Sequence, residues 1–381
     1  ATTGTLRIDA NRILSLDSGG ILATRTSSII AGTSGPGVLN GEANAGLIFH
    51  TAGTSTVLTV DVPVGGRVTP TSGGLTKSSE GMLILGGSRL HSYSGATTLN
   101  LGTLQFGTYT FDINPVLYRF TTPVGSTPVA LVNADAWTIA PGATWDLYGK
   151  SQTIGNLGAY AALSALPGAG GVITNSRAGT VSDVTLLQSV SRDFAGSFNG
   201  TLNLWKSGTA GLSLYNGNAM TGTVTVSGGS LNLLDDAVFS NATQMVVRNA
   251  VLRWDDSGIE ARTDRLPGAA PLRLDGGVFE FISRSGTAGS ISMGTLDLIG
   301  GASVLRLNVG NNGLGSATVN LGTLTRSTGA TMSFLAGGAG AVGDNPFVRL
   351  SAPSLTAGGI LGGWATVAGA DGFAGTNANL G

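Results

Sequence analysis

Few residues of this sequence have the types and spacing that catalysis or metal binding requires. The two histidines, His50 and His91, form no His-x₃-His or Glu-x-x-His pair. Metal sites seldom depend on a single imidazole, so both side chains are predicted to be structural or to face solvent. There is no cysteine and no Gly-x-Ser-x-Gly element, which leaves a nucleophile–base–orienting triad few possible members.

The feature most typical of an enzyme is two pairs of adjacent acids, Asp235-Asp236 and Asp255-Asp256, with Arg253 nearby. Stacked coils of a β-helix can bring such carboxylates about 5–10 Å apart, the separation that a glycosidase needs. Each pair also follows an apolar run, where Asp commonly shapes a turn. We therefore expect turn residues, no catalytic site and no enzymatic activity. A polysaccharide-cleaving enzyme remains the third alternative.

Calcium binding is the other chemical alternative. The Gly-Gly-x-Gly-x-Asp repeat binds calcium in β-rolls. Gly-Gly pairs are frequent here, but the acids of 275–277 and 371–372 are isolated, and Gly310-Asn311-Asn312-Gly313 has the composition of a turn. No metal, nucleotide or other cofactor is expected.

The composition describes a chain that turns often and carries little charge. Charged residues make up 11% of the 381 residues, less than half the usual share of a soluble domain. There are 62 glycines without a Gly-x-y period, which excludes collagen and favours tight turns. The net charge is −1 and the basic residues are scattered, so a nucleic-acid partner is not expected.

Several absences favour export. Chains without cysteine are frequent among secreted bacterial proteins. No apolar run is long enough to predict a membrane-spanning helix. The sequence begins at Ala1 and has no signal peptide. We expect a processed or excerpted piece of a longer polypeptide.

A short unit recurs along the chain: Gly, then Thr or Ser, then Leu, a polar residue and an apolar one. It occurs at residues 4–8, 102–106, 200–204, 229–233, 294–298 and, with its last position changed, 322–326. Apolar residues at every second position predict strands with one buried face, and the Gly predicts a corner between strands.

A longer repeat contains this unit. Residues 74–106 and 203–233 align at Lys77 and Lys206, and in both an alternating Leu pair follows the lysine. The leucines expected to be buried and stacked are Leu83, Leu85, Leu104, Leu202, Leu212, Leu214, Leu231, Leu296 and Leu324.

Strands of four to six residues cannot bury an apolar face alone, whereas stacked coils can. We therefore predict an all-β fold, a parallel β-helix (β-solenoid), with about 20–25 residues per coil and roughly 15–19 coils. A single continuous solenoid is predicted over 1–381. Loop insertions are expected near 107–135 and 159–170, and a Gly-rich C-terminal segment at 336–381.

Residues 74–106 resemble the passenger-associated autotransporter repeat, also called the autotransporter-associated β-strand repeat. The match includes Lys77, the Leu83–Leu85 alternation, Tyr93-Ser94-Gly95 and Gly102-Thr103-Leu104. The copy at 203–233 departs from the pattern, because Gly211 is one place late, Met220 replaces Tyr and Gly228 replaces an apolar residue. Residues 359–367 also resemble a Gly-Trp-Ala-Thr segment of very long surface proteins that carry these repeats.

The resemblance implies a right-handed parallel β-helix on the bacterial surface, with no ligand and no catalytic residue. Such proteins normally carry a membrane anchor, and none is visible in this sequence. We therefore expect that the anchor has been removed or that the chain is one segment of a giant protein.

Three functions follow in order of preference. The first is an extracellular or cell-surface structural solenoid that displays other parts or forms a fibre. The second is an adhesin that binds glycans or host or neighbour surfaces, and the third is the glycan-cleaving enzyme. Neither terminus has a polar cap, so end-to-end self-association or continuation into a longer chain is expected.

Overall fold

The computed structural model describes most of the chain between residues 3 and 373. The described residues are 3–17, 19–33, 37–41, 46–65, 73–86, 91, 93, 95–107, 136–158, 166–268, 270–310, 315–337, 347–350, 363–369 and 372–373. They contain strands, turns and bends and no helix.

Most strands have two to six residues, and the four between residues 287 and 337 are longer. The first are β1 Gly4–Ile8, β2 Ile13–Leu16, β3 Gly20–Ala23, β4 Ser27–Ala31, β5 Val38–Gly41, β6 Leu47–Thr51, β7 Val57–Asp61, β8 Leu75–Ser78, β9 Met82–Leu85, β10 Thr97–Leu99, β11 Gly102–Phe106 and β12 Ala136–Ile139. The next are β13 Ala143–Asp146, β14 Gln152–Ile154, β15 Asn156–Gly158, β16 Val172–Asn175, β17 Ser182–Leu187, β18 Arg192–Phe194, β19 Ser197–Gly200, β20 Leu202–Ser207, β21 Gly211–Leu214, β22 Thr223–Val226, β23 Ser230–Leu233 and β24 Gln244–Arg248. The last are β25 Val251–Asp255, β26 Leu272–Asp275, β27 Val278–Ser283, β28 Thr287–Gly300, β29 Ala302–Val309, β30 Gly315–Arg326, β31 Thr331–Gly337, β32 Phe347–Leu350, β33 Ala365–Gly369 and β34 Gly372–Phe373.

The chain divides into two compact units. The first comprises Ala1–Leu187 with Arg192–Asn203, and the second comprises Gln188–Ser191 with Leu204–Gly381. Whether one continuous solenoid runs through residues 1–381 stays a prediction.

In the first unit, successive strands join different sheets and return to the same sheet one coil later. One sheet has the order β1-β4-β7-β9-β11-β13-β16-β19, and a second has the order β3-β6-β8-β10-β12-β15. The pairs β2-β5 and β14-β17 lie on further sides. Neighbouring strands are parallel, so this unit is a parallel β-helix.

The second unit repeats the plan with two main sheets. They have the orders β20-β22-β24-β26-β28-β30-β32 and β21-β23-β25-β27-β29-β31-β33-β34. The pairs are parallel except the last, in which β34 turns back antiparallel on β33. The predicted all-β parallel β-helix is therefore confirmed, and its handedness stays a prediction.

The predicted interior is confirmed for eight of the nine leucines. All eight are fully enclosed. Seven of them pair in register with an apolar residue of the next coil, as in the column Leu212, Leu231, Leu252, Phe279, Leu305. Each such side chain contributes roughly 1.5–3 kcal/mol by leaving water. Leu324 was expected to be buried and is only half-buried, and in the described part of the chain β32 pairs with β30 over Thr318–Leu321.

The Gly corners are confirmed in part. Gly102 and Gly229 have φ of +73° and +56°, which a residue with a Cβ adopts only under strain. The prediction of a corner at Gly294 and Gly322 was wrong, since β28 and β30 continue through them. These glycines instead allow close stacking, because a Cβ on Gly322 would lie 2.6 Å from the Gly294 carbonyl oxygen.

Coil length varies more than the sequence suggested. Leu212 pairs in register with Leu231, and Leu104 pairs with Trp145, so the first of these coils is less than half as long as the second. The repeat preserves the strands, while the connections between them differ in length. Most of the predicted insertion at 107–135 and the first part of that at 159–170 lie outside the described residues, as does most of 336–381.

Candidate functional site

In the second unit, residues 256–271 join β25 to β26, and the described residues among them form no strand. Only residues 284–286 separate β27 from β28, because β28 begins nine residues before Leu296, the partner of Leu272. We call residues 256–265 of the connection between β25 and β26 the anchored loop. Its residues form many of the hydrogen bonds and ion pairs of the second unit.

Arg265 lies at the base of the anchored loop and is fully buried. Its Nε donates to Oδ1 of Asp256 at 3.0 Å, and its terminal nitrogens donate to four backbone carbonyls. The acceptors are Asp235 at 2.6 Å, Ala237 at 3.0 Å, Asp255 at 3.3 Å and Glu260 at 3.1 Å. A planar guanidinium with five donors suits such a site, and it joins the loop to the preceding coil.

Asp235 holds the outer part of the anchored loop. Its Oδ1 accepts the backbone N–H groups of Ile259 at 2.5 Å and Glu260 at 3.2 Å. Gly258 permits this approach, because a Cβ there would lie 2.4 Å from the same oxygen. From the next coil, Arg284 donates to the carbonyls of Gly258, at 2.8 Å, and of Ile259. The loop backbone is thus bonded on both sides.

An exposed ion-pair network surrounds this core. Arg262 donates to Asp236 at 3.0 Å and forms a bidentate pair with Asp264 at 2.9 and 3.1 Å. The hydrogen bonds from Arg262 lower the pKa of the Asp264 carboxyl. Because these side chains are partly exposed, the pairs orient the loop more than they stabilise it.

The structure places all four candidate acids at the anchored loop, and each carboxylate has a hydrogen-bond partner. Asp256 accepts from Arg265 and from the Trp254 indole N–H at 3.1 Å. Burial raises the pKa of Asp256, and the neighbouring Arg265 opposes that rise. Burial likewise lowers the pKa of Arg265, with Asp256 opposing. Asp255 closes a turn by accepting the Ser257 N–H at 2.9 Å. These bonds favour the turn interpretation over the catalytic one.

Arg253 lies apart from the anchored loop, on the outer face of the sheet. It donates to Glu280 at 2.8 Å and to Asn232 at 3.2 Å. The register places these side chains in one column, here called the polar column: Ser213, Asn232, Arg253, Glu280 and Arg306. Glu280 is buried between the two arginines, 3.7 Å from Arg306. The column bonds one coil to the next.

Two buried lysines occupy equivalent positions in the aligned repeats. Lys77 donates from Nζ to the carbonyls of Ser78, Ser79 and Leu101 at 3.0, 2.7 and 2.9 Å. Lys206 donates to the carbonyls of Gly228 at 2.7 Å, Gly208 at 3.5 Å and Ala210. Burial lowers the pKa of each ammonium to about 8. Both lysines satisfy corner carbonyls and are enclosed by protein.

The histidines lie apart. His50 is half-buried on β6. His91 is fully buried, accepts the Val64 N–H at Nδ1 over 3.2 Å, and places Nε2 3.4 Å from the Gly86 carbonyl. Burial lowers the pKa of His91 to about 4, so the ring is neutral and Nε2 is the donor. Among the described residues, no three His, Asp or Glu side chains cluster as metal ligands would.

The isolated acids considered for calcium have other surroundings. Asp275 lies 3.6 Å from Arg248 in an exposed ion pair, and Gly276 has φ of +63°, as in a tight turn. Asp371, Asn311 and Asn312 lie outside the described residues.

Exposed aromatic residues are sparse on the described surface. Trp205 on β20 is 40% exposed and is the one aromatic side chain among the strongly exposed large apolar residues there. The part of the chain that the structure describes also holds no helix long and apolar enough to cross a membrane.

Comparison with known proteins finds an informative similarity. Over 298 residues, which are 78% of this chain, the sequence is 31% identical to the adhesin BmaC autotransporter of Brucella suis biovar 1 (strain 1330). The chain is similar to part of an autotransporter adhesin. The aligned part is 7% of the length of that protein. No family model matches the sequence and no solved structure matches it, so the particular repeat family stays a prediction.

The sequence could not have indicated the anchored loop's main residues. Arg262, Arg265 and Arg284 are single basic residues in polar stretches, and their partners lie up to 30 positions away. The adjacent acids did point to the right region, because Asp235 and Asp256 are the carboxylates that hold the loop.

Proposed function

We propose that this chain is part of an extracellular solenoid displayed on a bacterial cell surface. The observation that carries the proposal is the similarity to an autotransporter adhesin over 78% of the chain. The fold is consistent with this role, since coils that each contact only their neighbours can be extended without a new core. The absence of cysteine also suits a chain that crosses oxidising compartments.

Intact-cell labelling tests surface display. Cells that produce the whole protein are labelled with an antibody raised against this chain, before and after brief protease treatment of the intact cells. A cytoplasmic protein is the matched control. Display predicts strong labelling that protease removes while the control remains intact. Labelling that requires cell lysis would contradict the proposal.

Adhesion is the second candidate function, and two observations favour it. The similar protein is described as an adhesin, and the anchored loop presents exposed side chains from a backbone bonded to both neighbouring coils. A protein partner is favoured over a glycan, because glycan binding commonly uses exposed aromatic rows, and Trp205 stands alone on the described surface. The occupied carboxylates at Asp235 and Asp256 support a non-catalytic role as part of this proposal.

Beads coated with the purified chain test adhesion. They are applied to monolayers of cultured mammalian epithelial cells and counted after washing, with albumin-coated beads as the control. Adhesion predicts bound beads well above the control. Equal counts would contradict the adhesive function while leaving surface display intact.

A further inference from the structure

The exposed side chain of Ile259 projects from the most firmly held part of the anchored loop. It is 66% exposed, and Glu260 and Ala261 beside it are also exposed. The Ile259 N–H is bonded to Asp235 and its carbonyl to Arg284. These partners come from the coil before and the coil after, so neighbouring coils fix the direction of the side chain.

A buried ion pair holds the backbone that carries Ile259. From Trp254 to Leu272 the chain takes 18 positions, compared with 15 from Phe281 to Leu296 in the next coil and 12 from Leu233 to Met245 in the preceding one. Buried charged groups are costly unless fully bonded. Binding residues are often carried by loops that a rigid scaffold positions, and a backbone held by hydrogen bonds loses less entropy on association.

The charge of the loop indicates its partner. Residues 256–265 contain three acids and two arginines, a net charge of −1. Both arginines already have partners within the chain, because Arg265 is buried against Asp256 and Arg262 pairs with Asp236 and Asp264. Next to the apolar tip, the exposed Glu260 is therefore the charge presented to a partner.

Resting on the proposed adhesive function, we propose that the anchored loop is a recognition element for a protein partner. Ile259 inserts into an apolar pocket on that protein, and Glu260 faces a Lys or Arg at the rim of the pocket. An aliphatic anchor in a desolvated pocket with charge complementarity at its edge is a common arrangement of binding hot spots.

The bead assay with two loop variants tests this proposal. Ile259→Ser and Glu260→Lys are compared with Val181→Ser, which changes a β-branched side chain that is 54% exposed in the first unit. We expect at least a tenfold fall in bound beads for each loop variant and no change for Val181→Ser. Circular dichroism and thermal unfolding should match wild type for all three, since none of the side chains is buried.

Treatment of the monolayers identifies the class of partner. Trypsin treatment should abolish binding of wild-type beads, and mild periodate oxidation should leave it unchanged. Loss with periodate alone would overturn the protein partner. Wild-type adhesion that Ile259→Ser leaves undiminished would overturn the loop as the recognition element. Failure of the wild-type beads to bind would instead remove the adhesive function on which the proposal rests.

Discussion

Replacing Arg265 by Ala removes the group that joins the anchored loop to the rest of the second unit. The side chain is fully buried and its partner Asp256 is nearly so. Loss of one member of a buried ion pair costs about 3–5 kcal/mol, because the other charge stays buried without compensation. Four carbonyl groups also lose their guanidinium donor.

We expect the free energy of unfolding of the second unit to fall by about 4 kcal/mol. The estimate takes the middle of the range for a buried pair, since Asp256 keeps the Trp254 indole and Arg262 backbone donors. For a unit of this size, about 4 kcal/mol lowers the melting temperature by roughly 8–16 °C. The Arg265→Lys variant should fall between wild type and alanine, because an ammonium cannot span the same acceptors.

Chemical denaturation followed by circular dichroism measures this loss, and hydrogen exchange localises it. Arg262→Ala is the matched control, since that side chain is 32% exposed and its ion pairs are worth about 0–1 kcal/mol. Amides of residues 256–265 should exchange faster in Arg265→Ala than in the control. If the two alanine variants are equally stable, the buried pair does not hold the loop and the reasoning fails.

Three further outcomes are expected. Leu231→Asp should destabilise its unit by more than about 4 kcal/mol, because it buries a charge in the core. Leu324→Asp, at a half-buried position, should cost about 1 kcal/mol. Equal denaturation midpoints for the two variants would contradict the assigned interior. Gly258→Ala forces a Cβ against Asp235 and should cost about 1–3 kcal/mol. Amide hydrogen exchange should become faster in the anchored loop alone. An unchanged exchange profile would count against the close contact between Gly258 and Asp235. His91 has a folded pKa of about 4, below the ordinary 6.5, so its contribution is present above pH 6.5 and is lost as the pH falls through about 4. The full loss is about 3 kcal/mol, and urea midpoints measured from pH 7 to 3.5 should show a shallower acid decline in His91→Gln than in wild type.

The alternation of apolar and polar residues predicted the buried side chains well, because the direction of a side chain in a strand is set locally. A strand of period two has one apolar face whatever surrounds it, so Leu104 and Leu231 could be assigned from their neighbours in sequence. Leu324 has the same local pattern. Its exposure depends on what the next coil places over it, which residues 322–326 do not encode.

The candidate site could not be predicted to the same degree. Two adjacent acids indicate a turn, and this was correct for both pairs. Asp235 and Asp236 lie in a turn closed by the Ala237 N–H and the Leu234 carbonyl, and Asp255 accepts the Ser257 N–H. The role of Asp235 depends on a loop 24 residues later, and that of Arg265 on carbonyls up to 30 residues earlier. The common lysine of the repeats was visible in the sequence, but its three carbonyl acceptors follow only from the folded corner.

The polar column constrains which substitutions this sequence can accept during evolution. Its bonds join residues 19, 21 and 27 positions apart. The effect of a substitution in the polar column therefore depends on the side chain bonded to it in the adjacent coil. Replacing Glu280 by a neutral residue would leave two arginines facing each other. Such a change should persist mainly when one arginine is lost as well. Among related sequences, substitutions along this face should therefore be correlated at intervals of one coil, whereas the exposed residues of the connections should vary independently.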